Sequence, residues 1–225
     1  MNNIILISPP AAGKGTQSER IKQKYQIPHI STGDLLRRVA EEQSEMGEVV
    51  RKIMSSGNLI SDDIVLKLLE QRIMQPDCIN GYILDGFPRT MPQAEAYLEM
   101  LKRLNRPLGK VIYLNLPMET AKKRITGRLS CKSCPKIYND QFEDSKPKKF
   151  GTCDSCNSPL FRREDDTEKA FNERYNQFMQ HTYPLVEFFE KQGLLFRVGS
   201  GINKDRTFSE IEKILGWLKI KKRYY

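Results

Sequence analysis

Histidine and tryptophan are scarce in this chain: His29, His181 and Trp217 are the only ones among 225 residues. The two histidines show neither metal-ligand nor triad spacing. That leaves a histidine metal centre and a serine-histidine triad without a candidate, and both are expected to be structural or surface residues. Trp217 is expected in the core. Long apolar runs are missing as well. The opening run Ile4-Ile5-Leu6-Ile7 is four residues long, far short of the ~20 that cross a bilayer. Its flank has neither the basic stretch nor the long apolar region of a secretory signal, so no membrane association and a cytoplasmic location are expected. Cysteine is limited to five residues. In a reducing compartment disulfides are not expected, and Cys78, which stands alone, reads as a small buried apolar side chain. Acidic residues are outnumbered, giving a formal net charge of +9. A basic chain suits nucleic acid, an anionic membrane or small polyanions such as nucleotides, and charge alone does not choose among them. The basic run Lys219-Ile220-Lys221-Lys222-Arg223 reads as a solvated tail or, alternatively, a binding patch.

What is present alternates between short apolar runs and helical patterns. Asn3-Ile4-Ile5-Leu6-Ile7 reads as a strand buried on both faces. A loop rich in Pro, Ala and Gly follows over 8–15, then a helix over 16–25 that Pro28 closes. Ser31-Thr32-Gly33-Asp34 starts a helix. Gly47 and Gly57 punctuate two more, and Ser61-Asp62-Asp63 caps another. Further strands are expected over 82–85, 110–116 and 194–198. Helices are expected over 92–104, from Pro117-Met118-Glu119, over 167–191 and over 208–218. Strands alternating with helices imply an α/β fold, a doubly wound parallel sheet with helices on both faces in three layers.

Ser8-Pro9-Pro10-Ala11-Ala12-Gly13-Lys14-Gly15-Thr16 lies between the first strand and the first helix. Small residues let backbone N–H groups converge on phosphate oxygens, the helix N-terminus adds partial positive charge, and Lys14 adds a full one. The general phosphate-loop pattern begins with Gly, where this chain has Ser8. It also places Ser or Thr directly after Lys, where this chain has Gly15 before Thr16.

From Cys131 to Pro159 the composition changes to Cys, Lys, Ser, Asp and Pro, too poor in aliphatic residues for a core of its own. Cys131-Lys132-Ser133-Cys134 and Cys153-Asp154-Ser155-Cys156 are two Cys-x-x-Cys knuckles with 18 residues between the inner cysteines. That spacing points to a closed tetrahedral Zn²⁺ site with a structural role, iron being the main alternative metal.

Taken in order, Gly13-Lys14-Gly15-Thr16, Ser31-Thr32-Gly33-Asp34-Leu35-Leu36-Arg37, Leu84-Asp85-Gly86-Phe87-Pro88-Arg89-Thr90, Gln93, Arg124-Ile125-Thr126-Gly127-Arg128, the paired cysteines and Arg163-Glu164-Asp165-Asp166 resemble the adenylate kinases in their long form with a zinc-carrying lid. The resemblance runs from Ile4 to about Leu215. It implies a P-loop nucleoside monophosphate kinase fold. The core would be 1–30, 61–126 and 167–225, with an AMP-binding insertion at 31–60 and a zinc-bearing lid at 127–166. It implies reversible transfer of a phosphoryl group from MgATP to AMP, giving two ADP, in a monomer that binds no nucleic acid and no membrane.

By the same resemblance, ATP lies along Ala11, Ala12, Gly13, Lys14, Gly15 and Thr16, with Arg124 against its adenine and Arg128, Ile137, Tyr138, Gly201 and Ile202 nearby. AMP meets Thr32, Arg37, Asn58, Leu59, Ile60, Gly86, Phe87, Pro88, Arg89 and Gln93. Arg37 and Arg89 hold its phosphate, and Thr32 and Gln93 read its base. Arg128, Arg163 and Arg174 gather at the transferring group with Lys14 and Arg89, and Arg163 and Arg174 also reach AMP. Asp85 holds Mg²⁺ through water. Asp34 joins that water network or merely caps its helix. Asn139 stands where relatives usually carry His.

This is chemically coherent. A phosphate acceptor is already anionic, so no base is needed, and the task reduces to positioning and charge stabilisation by cations. Three other readings compete. One is a different nucleoside monophosphate kinase, although Thr32 and the long lid favour AMP. Another is a zinc-ribbon nucleic-acid-binding protein. The third is a nucleotide binder without activity, with Ser8 and Ala11 as the warning signs.

Overall fold

The computed structural model describes residues 3–55, 60–134, 136–164, 166–201 and 203–221. Asn58, Leu59, Asp165 and Ile202 fall outside that set, as do Gly57 and the side chains of Trp217 and of the basic run 219–223.

Five parallel strands form the central sheet in the order β2-β3-β1-β4-β8: β1 Ile4–Ile7, β2 His29–Ser31, β3 Ile83–Asp85, β4 Lys110–Asn115 and β8 Leu195–Gly199. The alternation of side chains along β1 explains its wholly apolar sequence. Ile5 and Ile7 enter one core cluster with Leu84, Val111, Tyr97 and Phe189. Ile4 and Leu6 enter the opposite cluster with Ile83, Ile112, Leu114 and Phe171. Both faces are covered, so each residue is worth about 1.5–3 kcal/mol of burial.

The helices are α1 Lys14–Tyr25, α2 Thr32–Glu41, α3 Glu45–Ser55, α4 Asp62–Ile73, α5 Met91–Arg103, α6 Met118–Thr126, α7 Glu168–Gln177, α8 Pro184–Lys191 and α9 Lys204–Lys221; α3 packs with α2 and α4 in a third cluster around Val39, Val50 and Leu68, apart from the sheet. Five of the helices begin on side-chain caps: α3 on Ser44, which accepts from the Gly47 N–H at 3.0 Å, α9 on Asn203, which accepts from the Arg206 N–H at 3.2 Å, and three more. Ser31 accepts from the Asp34 N–H, Thr90 from Gln93 and Thr167 from Ala170, at 3.4, 3.4 and 3.2 Å.

Several elements differ from expectation. Ser61 precedes α4 but its side chain makes no capping bond; Asp62 and Asp63 supply the favourable first-turn charge instead. Pro117 is the N-cap of α6 rather than its first turn. Gly47 lies inside α3, not at a boundary. A Cβ there would sit 2.3 Å from the Glu42 carbonyl and 2.7 Å from that of Val39, so its role is the close approach of α3 to the end of α2. The helical stretch expected over 167–191 is broken by a π-helical turn, Phe178–Thr182, that separates α7 from α8. The last helix starts one turn earlier than its apolar pattern.

The segment expected to lack a core folds as a second, antiparallel sheet in the order β6-β5-β7: β5 Arg128–Cys131, β6 Ile137–Asn139 and β7 Leu160–Phe161. No helix of the described residues is long and apolar enough to cross a membrane.

Candidate active site

The first strand stops at Ile7 and the chain turns across the C-terminal end of the sheet before entering α1. This is where a doubly wound sheet leaves a crevice. Gly13 takes a left-handed conformation (φ 79°) as the N-cap of α1. The N–H groups that open the helix have no intrahelical acceptor and carry its positive pole. The carbonyls of the loop are tied off elsewhere. Arg124 donates to the Ala11 carbonyl at 3.1 Å and also to that of Gly201, while the Ser200 hydroxyl donates to the Ala12 carbonyl. The loop is thus held from behind by α6 and by the end of β8.

Lys14 closes on Asp85, with Nζ 2.8 Å from Oδ1. The other carboxylate oxygen is 3.0 Å from His29 Nε2. Parallel pairing of β2 with β3 sets His29 and Asp85 on one face, two residues apart in register. Burial alone would raise the Asp85 pKa. The His29 hydrogen bond and the Lys14 charge outweigh it and hold the carboxyl down at about 2. The carboxylate is therefore ionised throughout the neutral range.

A single cleft of about 2410 Å³ runs past this centre. It is lined by the loop from Ser8 to Thr16, by Thr32, Ile60, Gly86, Phe87, Pro88 and Gln93, by Arg89, Arg124, Arg128 and Arg174, and by Ile137, Tyr138 and Gly201. Arg89 is fixed at three points. Its Nε donates to the Gly86 carbonyl at 2.8 Å, its backbone N–H to Gln93 Oε1 at 2.8 Å, and its carbonyl accepts from Thr182 Oγ1 at 3.0 Å. The π-helical turn brings Thr182 to that position. Thr32 is buried and donates to the Gly86 carbonyl at 3.2 Å. Arg128 pairs through Nε and a terminal nitrogen with Asp166, whose side chain is fully buried.

Two expected arginines lie elsewhere in this conformation. Arg37 is exposed and bound to Asp34 at 2.5 Å, and Arg163 is exposed on the strand-linked segment after β7; neither lines the cleft. Asp34 therefore acts as partner to Arg37, and this contact lowers its pKa. Asn139, which also lines the cleft, donates to the Arg124 carbonyl at 2.9 Å and accepts from the Gln141 N–H, latching β6 to the end of α6. His29, Asp62, Ser200 and Asp166 were missed as individual contributors. Their partners come from elements distant in the chain; Asp166 stood in a family motif and Asp62 only in the Ser61-Asp62-Asp63 capping signal.

The four paired cysteines converge, with all sulfur atoms within 4.8 Å of one another. Cys131 and Cys156 are 3.4 Å apart, and Cys134 is 3.6 Å from both Cys153 and Cys156. Four thiolates at 2.3 Å from a tetrahedral Zn²⁺ would be separated by about 3.8 Å, so the cluster fits that ion. The Ser133 N–H lies 3.4 Å from Cys131 Sγ, and the Tyr138 hydroxyl 3.5 Å from Cys153 Sγ. The Tyr138 contact, acting against desolvation, holds the Cys153 thiol down at about 6. Cys78 is buried, as expected, and burial pushes its thiol up to about 11.

Residues 6–194 match the family model described as adenylate kinase. The chain is 42% identical over 217 residues to "Adenylate kinase" of Archaeoglobus fulgidus, covering 96% of this chain and 99% of the relative. It is 40% identical over 213 residues to "Adenylate kinase" of Thermosipho africanus, covering 95% and 99%. It is 42% identical over 214 residues to "Adenylate kinase" of Syntrophobacter fumaroxidans, covering 95% and 100%.

Proposed function

The chain belongs to the adenylate kinase family and is a phosphotransferase, and we propose that it passes a phosphoryl group from MgATP to AMP, giving two ADP, through the residues of the cleft described above. The observation that carries this reading is that one cleft is lined by the phosphate loop with Lys14, by Thr32 and Gln93, and by four arginines.

The N–H groups opening α1 and Lys14 hold the donor phosphates. Arg89 receives the acceptor phosphate, and Arg128 and Arg174 face the group in transit. Guanidinium groups suit this work because each offers two parallel donors to a phosphate. The acceptor needs no deprotonation, so none of these groups acts as a base. Asp85 is a hard, ionised oxygen donor of the kind that holds Mg²⁺ through water. When bound with the nucleotide, that ion neutralises charge on the transferring phosphate oxygens. Lys14 then exchanges its Asp85 partner for phosphate.

Arg37 and Arg163 join when the segments that carry them close, 31–60 over AMP and 127–166 over ATP, around a core of 1–30, 61–126 and 167–225. Zn²⁺ on Cys131, Cys134, Cys153 and Cys156 stiffens the second of these. The reading includes a cytoplasmic monomer whose positive charge serves nucleotides rather than nucleic acid or membrane.

A coupled assay of ADP formation from ATP and AMP tests it. Wild type turns over with both substrates, and Lys14→Ala loses about 10²–10³-fold in kcat. A higher kcat/KM with GMP, UMP or CMP than with AMP would overturn the acceptor assignment.

A further inference from the structure

Gln93 is the side chain best placed to read a base, and its amide is held at both ends. Its Oε1 accepts from the backbone N–H of Arg89 at 2.8 Å, and its Nε2 donates to Asp62 Oδ1 at 2.6 Å. Asp62 is the first residue of α4, and both side chains line the cleft. A backbone N–H can only donate and an ionised carboxylate can only accept. Turning the amide over would set N–H against N–H and oxygen against oxygen. The two neighbours therefore permit one orientation of Gln93.

That orientation leaves one lone pair and one N–H of the amide for a ligand, each on a fixed side. A 6-aminopurine presents a donor at its exocyclic nitrogen and an acceptor at N1. A 6-oxopurine presents the reverse, an acceptor at O6 and a donor at N1. A glutamine free to turn over would match either pattern with the same two atoms. One pinned by Asp62 and Arg89 matches a single pattern. The mismatched base then leaves polar groups unpaired, which is the more discriminating kind of error.

We propose that Asp62 is a specificity-determining positioning residue: by holding the Gln93 amide in one orientation, it makes the acceptor site choose a 6-amino over a 6-oxo purine nucleotide. The inference rests on the adenylate kinase reading of the cleft. A purely structural role for Asp62 would be its charge in the first turn of α4, which Asp63 shares. The two roles separate on substitution. Asp62→Asn keeps a hydrogen-bond partner for Gln93, but one that can turn over with it, so the group that only accepts is gone. Asp62→Ala loses the partner altogether.

The experiment measures kcat/KM for AMP and for IMP at saturating MgATP in wild type, Asp62→Ala, Asp62→Asn and Asp63→Ala. Asp62→Ser stands in as the truncation if the alanine variant does not fold. The AMP-to-IMP ratio is expected to fall about tenfold in the truncated variant, the worth of one hydrogen bond. It is expected to fall likewise in Asp62→Asn and to stay near wild type in Asp63→Ala. A truncated or Asp62→Asn variant with the full wild-type ratio overturns the inference, and so does an Asp63→Ala ratio that falls as far as the truncation. Wild type inactive on AMP would instead overturn the reading beneath it.

Discussion

Ala11 holds a left-handed backbone conformation, φ 62°, inside the phosphate loop. An L side chain there crowds the following carbonyl at a cost of about 1–2 kcal/mol. Glycine would relieve this but add freedom to the unfolded chain, which takes back about 0.4–1 kcal/mol. Ala11→Gly is therefore expected to stabilise by up to about 1 kcal/mol, raising Tm by about 2–4 °C; a scanning calorimeter that records a lower Tm contradicts the strained loop. Asp85 gives a second prediction at this scale. Its carboxyl sits at about 2 against an ordinary 3.8 because His29 and Lys14 outweigh its burial. A depressed folded pKa contributes stability that is complete above the ordinary value and lost as pH falls from about 4 toward 2, here on the order of 2 kcal/mol. Urea unfolding of wild type should weaken across that window, and Asp85→Asn should flatten the acid limb. Equal acid slopes in the two proteins would show that Asp85 gains nothing from its partners. Neither His29 nor Asp62 was legible as a partner from one sequence. Their contacts span 56 and 31 residues and arise only when β2 pairs with β3 and α4 meets α5.

Elements were legible where a continuous apolar run or a capping signal marked them. The strands β1, β3 and β4 each carry a buried aliphatic run between turn residues, β8 has an apolar pattern of which only Val198 is buried, and α2, α5 and α7 follow a hydroxyl cap. The strand β2 carries one buried apolar residue, Ile30, between His29 and Ser31, so no period distinguished it from a loop. The lid strands β5, β6 and β7 are two to four residues long, and pairing rather than composition defines them. What the spacing of the cysteines did convey is the cluster that ties these strands to the loop between β6 and β7. Little else buries that sheet: Leu129, Ser130, Cys131, Asn139 and Cys153 are its buried side chains among the described residues. Metal should then supply most of its stability, since structural Zn²⁺ contributes on the order of 10 kcal/mol to small folds at neutral pH. Purified protein is expected to carry about one zinc per four-cysteine cluster. Stripping it with a strong chelator should speed backbone hydrogen exchange across β5–β7 while β1, β3 and β4 stay protected. Unchanged exchange in β5–β7 after complete metal removal would rule out a stabilising metal.

At the scale of the whole molecule, the cleft is too large for the reaction it serves. Its volume of about 2410 Å³ exceeds the roughly 300–1,000 Å³ of a typical ligand pocket. Arg37 and Arg163 stand outside it, the first on Asp34. Water in so open a site would compete with AMP for the phosphoryl group and weaken every charge interaction that favours transfer. Both deficits would be removed by the same movement, the proposed closure of the segments flanking the cleft, a motion for which this family's lid is a standing example. The residues that would resist or guide it are in view. Asn139 latches β6 to the Arg124 carbonyl, and Asp166 grips Arg128 at the far edge of the lid. If chemistry is fast once the cleft is shut, reopening sets the turnover. Rapid-quench mixing of enzyme with MgATP and AMP should then show a burst of product approaching one turnover per site before the slower steady state. On the proposed function, Arg163→Ala removes a cation that arrives only on closure. It should slow transfer by about 10²–10³-fold, make chemistry limiting and abolish the burst. Wild-type product that accumulates linearly from the first milliseconds would place the slow step in the transfer itself and not in the lid.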